Sequence, residues 1–120
     1  MSQWITREKR LAIYMRDNFT CCYCGRSLKN EDPNLVTLDH LVPRNKKVAH
    51  GGGGNEATNV VTSCKSCNSS RQDKPWLEFA PGGAIERIEH LRCQPLNMKL
   101  AKAIIFGEID AEVAALEDCR

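Results

Sequence analysis

"CCYCG" at residues 21–25 and "CKSCN" at residues 64–68 each contain a Cys-x-x-Cys pair. Two residues between thiolates allow one tight turn to present both sulfur atoms to one ion at about 2.3 Å, and two such turns complete a tetrahedron around zinc. Such a site leaves no open position for water, so we expect its role to be structural. The four predicted zinc ligands are Cys21, Cys24, Cys64 and Cys67.

Two other interpretations of these thiols remain open, a redox-active pair and four unrelated buried cysteines. A redox pair is disfavoured because the motif is duplicated and no thioredoxin-like βαβ pattern surrounds it. Cys22 is a further thiol next to Cys21, but it lies only two positions from Cys24 and does not fit the spacing.

The composition is that of a globular chain. Of the 120 residues, 42% are hydrophobic and 27% are charged, which predicts one domain over residues 1–120 rather than a disordered chain. The seven cysteines are an odd number, and without an apolar signal segment they fit metal-bound thiolates better than a disulfide framework. No apolar run is long enough to span a bilayer. We therefore expect a cytoplasmic protein with no membrane association.

The net charge is only +2, which excludes the strongly basic field of an architectural DNA-binding protein. The positive charge is concentrated between residues 44 and 74, where only Glu56 and Asp73 are acidic. This segment is a candidate surface for a polyanion, with solvated loop charges as the alternative. Its basic residues are Arg44, Lys46, Lys47, Lys65, Arg71 and Lys74.

Helical patterns occur at both ends of the chain. Thr6 is the expected N-cap of a helix that runs to about Asp17, with Leu11, Ala12 and Met15 on its buried face. Further helices are predicted over 84–93, 96–106 and 110–118 from apolar residues at helical spacing. Trp76 and Phe79 are expected to anchor this C-terminal part to the core.

The middle of the chain predicts the order strand, loop, strand, helix. Residues 35–42 form an apolar, β-branched run that ends at Pro43, and the four glycines place residues 50–59 in a loop. "VVTS" begins a second strand. A helix is then expected from Cys64 to about Asp73, with Ser63 as its N-cap.

Polar residues suited to catalysis lie at the ends of these elements. Asp39 and His40 end the first predicted strand, and Asn68 follows Cys67 on the predicted helix. The oxygens of Asp39 and Asn68 suit Mg²⁺ or Mn²⁺, and an adjacent imidazole is able to take a proton from water. Adjacent strand residues point to opposite faces, so Asp39 and His40 can share a site only where the strand bends or ends.

"LDHLVPR" at 38–44 and "GGGGNEATNVVTSCKSCNSSR" at 51–71 resemble the HNH endonucleases, in the subgroup whose ββα-metal motif is braced by four cysteines. The resemblance covers about residues 19–76. It implies that His40 is the general base, that Asp39 is a metal ligand and that Asn59 braces the loop. Asn68 stands where the family has its last His, so the motif here is His-Asn-Asn.

The resemblance implies hydrolysis of DNA phosphodiester bonds by a one-metal site containing Mg²⁺ or Mn²⁺, separate from the structural Zn²⁺. Arg71 lies three residues after Asn68, on the same side of the helix, and is expected to clamp a phosphate. Arg44, Lys46 and Lys47 are expected to contact the DNA backbone. The predicted fold is α+β, with a ββα-metal (His-Me finger) core and a helical packing segment over about residues 77–120.

A non-catalytic interpretation of each of these residues also remains open. Asp39 is then a turn former, His40 a half-buried histidine, Asn59 a loop residue and Asn68 a helix-surface residue. The chain would then be a non-catalytic zinc-ribbon DNA-binding module or a zinc-stabilised protein-interaction domain. The absence of a recognisable specificity module predicts either low sequence specificity or targeting by a protein partner.

Overall fold

A computed structural model describes residues 5–42, 54–72 and 74–107 of the chain. Within these ranges a two-stranded antiparallel sheet is surrounded by short helices. The elements are, in order, α1 (Arg7–Arg16), β1 (Val36–His40), β2 (Val60–Cys64), α2 (Lys65–Arg71), α3 (Trp76–Phe79), α4 (Gly82–Arg92) and α5 (Met98–Ile105). The α+β fold class and the strand–strand–helix order predicted from the sequence are confirmed.

Helix α1 begins where the sequence predicts it. The Thr6 hydroxyl accepts a hydrogen bond from the Lys9 backbone N–H at 3.2 Å, which satisfies one of the free amides of the first turn. Ala12 and Met15 are buried, and they form a small apolar cluster with Ala101 of α5. The predicted face of this helix therefore packs against the C-terminal part of the chain.

The sheet is shorter than the sequence predicts. Leu35 belongs to a 3₁₀ turn over Pro33–Leu35, and regular pairing ends with His40 opposite Val60. Beyond that point the Leu41 N–H donates to the Asn59 carbonyl at 2.8 Å. Every residue of β2 is buried, as expected for a strand covered on both faces.

Helix α2 starts one residue later than predicted and ends earlier. Its N-cap is Cys64, whose sulfur accepts from the Cys67 N–H, so the prediction of Ser63 as the cap was wrong. The Ser63 hydroxyl instead lies 3.0 Å from the Thr37 hydroxyl. The helix ends at Arg71 because Gln72 adopts a φ of 51°, outside the right-handed helical region.

The C-terminal helices close over the first cysteine turn. Trp76 is buried and Phe79 packs edge-on against Tyr23 with ring centroids 5.1 Å apart, as the anchoring prediction requires. The prediction over 84–93 corresponds to α4, which starts two residues earlier, and the prediction over 96–106 to α5. The predicted helix at 110–118, most of the predicted loop and Asp73 lie outside the described residues.

None of the helices in the described ranges combines the length and the apolar character that a membrane crossing requires.

Candidate metal centres and active site

The two Cys-x-x-Cys turns meet in space. The sulfur atoms of Cys21, Cys24, Cys64 and Cys67 all lie within 4.8 Å of one another. In each turn the backbone N–H of the second cysteine donates to the sulfur of the first, at 3.5 Å for Cys24 to Cys21 and 3.4 Å for Cys67 to Cys64. Four sulfur donors around one point fit a closed tetrahedral zinc site. The predicted four-cysteine cluster is thus confirmed.

Thiolate character is favoured at one of these cysteines. Burial acts to raise the pKa of Cys21, but backbone hydrogen bonds from Cys24, Cys64 and Tyr23 outweigh it, so the pKa is lowered. Cys22 differs, because burial and then the negative charges of Cys21 and Asp39 raise its pKa. Cys22 therefore remains a neutral, fully buried thiol and packs in the core rather than in the metal site.

Gly25 closes the first cysteine turn. Its N–H donates to the Cys21 carbonyl at 3.0 Å, and its φ of 77° lies in the left-handed region that glycine enters without steric cost. The predicted tight turn over residues 21–25 is confirmed.

His40 is the last residue of β1 and is half-buried. Its Nε2 lies 2.8 Å from Oδ1 of Asn55. An amide oxygen only accepts hydrogen bonds, so Nε2 is the donor in this contact, and in the neutral ring Nδ1 is then the nitrogen with the lone pair. The backbone oxygen of Asn55 in turn accepts from Lys9 Nζ, which connects this part of the loop to α1.

Asn59 is buried, and its side chain connects the two described edges of the loop. Its Oδ1 accepts from the Val42 N–H at 3.0 Å. Its Nδ2 donates to the carbonyls of Val42 and Gly54, at 3.1 and 2.9 Å. One amide thus supplies the pairing that β1 and β2 no longer provide after His40.

Asp39 is buried in an ion pair with Arg71. Arg71 Nη1 lies 2.8 Å from Oδ1 and 2.7 Å from Oδ2 of Asp39, and the Tyr23 hydroxyl also donates to Oδ2. Burial and then the negative charge of Asp39 raise the pKa of Tyr23, which keeps the phenol protonated as a donor.

Arg71, predicted to clamp a phosphate, lies in the interior. The side chain is only 4% exposed, and all three guanidinium nitrogens donate to protein oxygens. A phosphate at the protein surface would have to displace these bonds and draw the buried cation away from its carboxylate. The clamp role of Arg71 stays a prediction.

Asn68 lies on α2 facing β1. Its Nδ2 donates to the Thr37 hydroxyl at 3.0 Å and to the Leu38 carbonyl at 3.4 Å. Within the described residues its Oδ1 accepts no hydrogen bond. The amide is therefore anchored through nitrogen, and its oxygen stays available to a hard cation.

Comparison with known proteins assigns the motif. Residues 21–74 match the family model described as HNH endonuclease. This segment, called the HNH motif below, is similar to that family. The matched segment contains both cysteine turns and both strands, together with His40 and α2.

Two curated proteins that match the chain also have HNH or nuclease names. The chain is 33% identical over 79 residues to the CRISPR-associated endonuclease Cas9 of Corynebacterium diphtheriae, and the match covers 66% of this chain and 7% of that protein. It is 34% identical over 64 residues to YoqL of Bacillus subtilis, described as an SPbeta prophage-derived HNH endonuclease, with 52% of this chain and 27% of that protein covered. The chain thus spans a small part of either relative. No solved structure matches it significantly.

Within the HNH motif the predicted site residues divide into two groups. Asp39, Asn68 and Arg71 lie where α2 packs on β1, whereas the His40 ring contacts Asn55. The side chains of His40 and Asp39 share no hydrogen-bond partner in the described part of the chain. The adjacent side chains of Asp39 and His40 thus lie in different surroundings, as the alternation of side chains along a strand predicts.

Two residues of this region were not predicted from the sequence. Tyr23 lies between Cys22 and Cys24, a position that signals only that its ring belongs to the cysteine turn. Asn55 directly follows the glycines, where a polar residue is ordinary. Only the folded geometry connects Tyr23 to Asp39 and Asn55 to His40. The predicted DNA-contacting residues Arg44, Lys46 and Lys47 lie outside the described residues, and Lys65 and Lys74 of the same basic segment are exposed.

Proposed function

We propose that this chain is a metal-dependent DNA endonuclease in which His40 is the general base. The observation that carries the proposal is the orientation of His40 within the HNH motif. The bond from Nε2 to Asn55 Oδ1 favours, in the neutral ring, the tautomer whose Nδ1 has the lone pair, and the ring is half-buried rather than closed into the core.

In the proposed reaction His40 Nδ1 takes a proton from a water molecule that attacks the phosphorus of a DNA phosphodiester. The 3′ oxygen departs with the bonding electron pair and receives a proton from solvent. Such positioned proton transfer contributes roughly 10² to 10⁴ in rate. Asn55 holds the ring, and Asn59 holds the chain on both sides of the loop that starts after Val42.

A divalent ion belongs to this proposal, because HNH nucleases depend on a metal. Asn68 fits such an ion well, since its amide oxygen is unengaged within the described residues. Asp39 fits through Oδ1 only, because three of its roughly four lone-pair positions accept from Arg71 and Tyr23. When bound, Mg²⁺ or Mn²⁺ would stabilise the negative charge on the phosphate and on the leaving oxygen.

The four-cysteine cluster has a separate role in the proposal, which is to hold structural Zn²⁺. All four donors are sulfur, the ligand type that zinc accepts and Mg²⁺ avoids. No donor position is left over for a reacting water, so we assign no catalytic step to this site.

The DNA partner and the extent of the domain are also proposals. We treat residues 1–120 as one nuclease domain, supported by the packing of α5 on α1 and of α4 beside β2. Exposed Lys65 and Lys74 at either end of α2 would contact phosphates, together with Arg44, Lys46 and Lys47. We place the protein in the cytoplasm, where thiols stay reduced.

Nicking of a supercoiled plasmid tests the proposal. The purified, zinc-loaded protein should convert supercoiled DNA to the open-circular or linear form with Mg²⁺ or Mn²⁺ added and should not do so in the same buffer without either ion. Salt-dependent DNA binding without cleavage in any of these metals would favour the non-catalytic binding module. No salt-dependent binding at all would favour the protein-interaction domain.

A further inference from the structure

Arg71 has more buried hydrogen bonds than a side chain in a plain ion pair needs. Besides Asp39, its Nη1 donates to the His40 carbonyl at 3.0 Å and its Nη2 to the Leu41 carbonyl at 2.6 Å, while Nε donates to the Lys74 carbonyl at 3.0 Å. We propose that Arg71 is a positioning residue for His40, acting through these carbonyls and through Asp39. The inference rests on the proposed role of His40 as the base.

His40 lies where the regular pairing of β1 with β2 ends. Beyond it the described chain is held by the Leu41 N–H bond to the Asn59 carbonyl and by the Asn59 side chain on Val42, and neither of these bonds involves the His40 carbonyl. The carbonyls of His40 and Leu41, which belong to two successive peptide groups, both accept from the one guanidinium. Because that group is planar and rigid, these two bonds restrict the orientation of the peptide group that follows His40 and hence the Cα–Cβ direction of His40.

Asp39 fixes the guanidinium itself. An unpaired buried cation would be costly, and the carboxylate offsets that cost while it accepts from Nη1, the nitrogen that also donates to the His40 carbonyl. Tyr23 extends the network, because its hydroxyl donates to the same carboxylate and its backbone lies in the turn between Cys21 and Cys24. The zinc turn, α2 and the strand end that carries His40 are thus connected through one buried group.

A phosphate clamp and a positioning residue predict different measurements. A clamp contributes to DNA affinity, and its loss weakens binding and lowers the salt slope by about one. A positioning residue leaves the DNA surface unchanged and acts on the chemical step. Misplacement of a reacting group by about 1 Å costs on the order of 10² in rate.

The test is Arg71→Lys, which keeps the charge but has one nitrogen where three are needed. At saturating Mg²⁺ we expect kcat to fall by up to about 10²-fold, with the DNA dissociation constant and its salt slope, measured on the zinc-loaded protein without added Mg²⁺, unchanged. Two-dimensional NMR of the zinc-loaded protein without added Mg²⁺ should show displaced His40 ring signals, with those of His50 and His90 as internal references. Unchanged kcat and ring signals, or a weakened salt-dependent affinity, would overturn the proposal.

Tyr23→Phe serves if Arg71→Lys does not fold, since it removes one hydroxyl and keeps the ring on Phe79. It should displace the His40 signals in the same direction by a smaller amount, and signals identical to wild type would count against the network. Arg26→Lys is the matched control, because Arg26 forms an exposed pair with Glu31, and it should change none of these readouts. If the wild-type protein does not cut DNA, the proposed function fails, while the NMR comparison still decides whether Arg71 positions His40.

Discussion

At the scale of single residues, the Asn68 amide oxygen, which accepts no hydrogen bond within the described ranges, determines how the proposed catalytic ion would be held. Asn68→Ala should raise the Mg²⁺ concentration needed for half-maximal cleavage, because one oxygen ligand is lost. Asn68→His should shift the preference toward Mn²⁺, Ni²⁺ or Zn²⁺, since imidazole is a softer ligand. Metal titrations of nicking measure both effects. If the two titrations matched that of the wild type, Asn68 would not be a ligand.

Tyr23 makes the stability of the fold sensitive to alkaline pH. Its pKa is raised from an ordinary value of 10.0, by burial and then by the charge of Asp39. A group with a raised folded-state pKa contributes its full stability below the unfolded pKa and loses it as pH rises above that value. Wild-type stability should therefore fall above about pH 10 as the phenol deprotonates.

Tyr23→Phe should lower stability at neutral pH by about 1.5–3 kcal/mol, the value of a hydrogen bond to a charged group, and should flatten the loss above pH 10. Urea unfolding between pH 8 and 11 measures both effects, because the transition midpoint and slope give the free energy of unfolding at each pH. Tyr14→Phe is the control, since the Tyr14 hydroxyl contacts Arg10 and the Val36 carbonyl instead of a carboxylate. Equal steepness in Tyr23→Phe and wild type would remove Tyr23 from the alkaline transition.

The residue types predicted which residues are candidates for the site, but not which residues they contact in the fold. The Asp39-His40 pair and Asn68 could be singled out from ligand chemistry and from their positions relative to the cysteines. That Asp39 lies against a buried guanidinium could not, because Arg71 is separated from it by the whole loop and β2. Helical spacing predicts that Arg71 lies on the same side of α2 as Asn68, but it does not predict whether that side faces solvent or β1.

At the scale of elements, the four-cysteine cluster connects the turn at residues 21–25 to the start of α2. Binding of structural zinc supplies on the order of 10 kcal/mol of apparent folding energy in small domains, which exceeds the net stability of many of them. Cys24→Ser and Cys67→Ser should therefore bind substoichiometric zinc and lose cooperative thermal unfolding.

Zinc content by atomic emission and melting by circular dichroism test this prediction. Cys93→Ser is the matched control, because Cys93 is an exposed thiol at the C-cap of α4 and does not belong to the cluster. Full zinc content with an unchanged melting temperature in either turn variant would contradict the four-cysteine assignment.

Most elements could be predicted, and their ends show why some could not. The caps that depend on neighbouring sequence, such as Thr6 on α1, were predictable. The start of α2 was not, because the sulfur of Cys64 takes the capping role that a serine hydroxyl usually has. The end of β1 was misjudged because the Asn59 amide, distant in sequence, replaces ordinary strand pairing beyond His40.

At the scale of the whole molecule, the HNH motif depends on residues outside it. Arg16 at the end of α1 donates to the carbonyls of Ala57 and Val60, both at 2.7 Å, and so holds the chain on each side of Asn59. Its neighbour Asp17 accepts from the Thr62 N–H at 2.8 Å. Two buried arginines thus hold the paired strands, Arg16 at the start of β2 and Arg71 at the end of β1.

The most direct test of the central claim is single-turnover cleavage of a labelled DNA duplex by wild type and by His40→Ala, at saturating Mg²⁺ and over a range of pH. The account predicts that His40→Ala binds zinc and DNA as wild type does but cuts roughly 10² to 10⁴ times more slowly. It also predicts that the wild-type rate falls as the solution becomes acidic enough to protonate the base, and that the variant lacks this fall. A folded His40→Ala protein that cuts at the wild-type rate with the wild-type pH profile would contradict it.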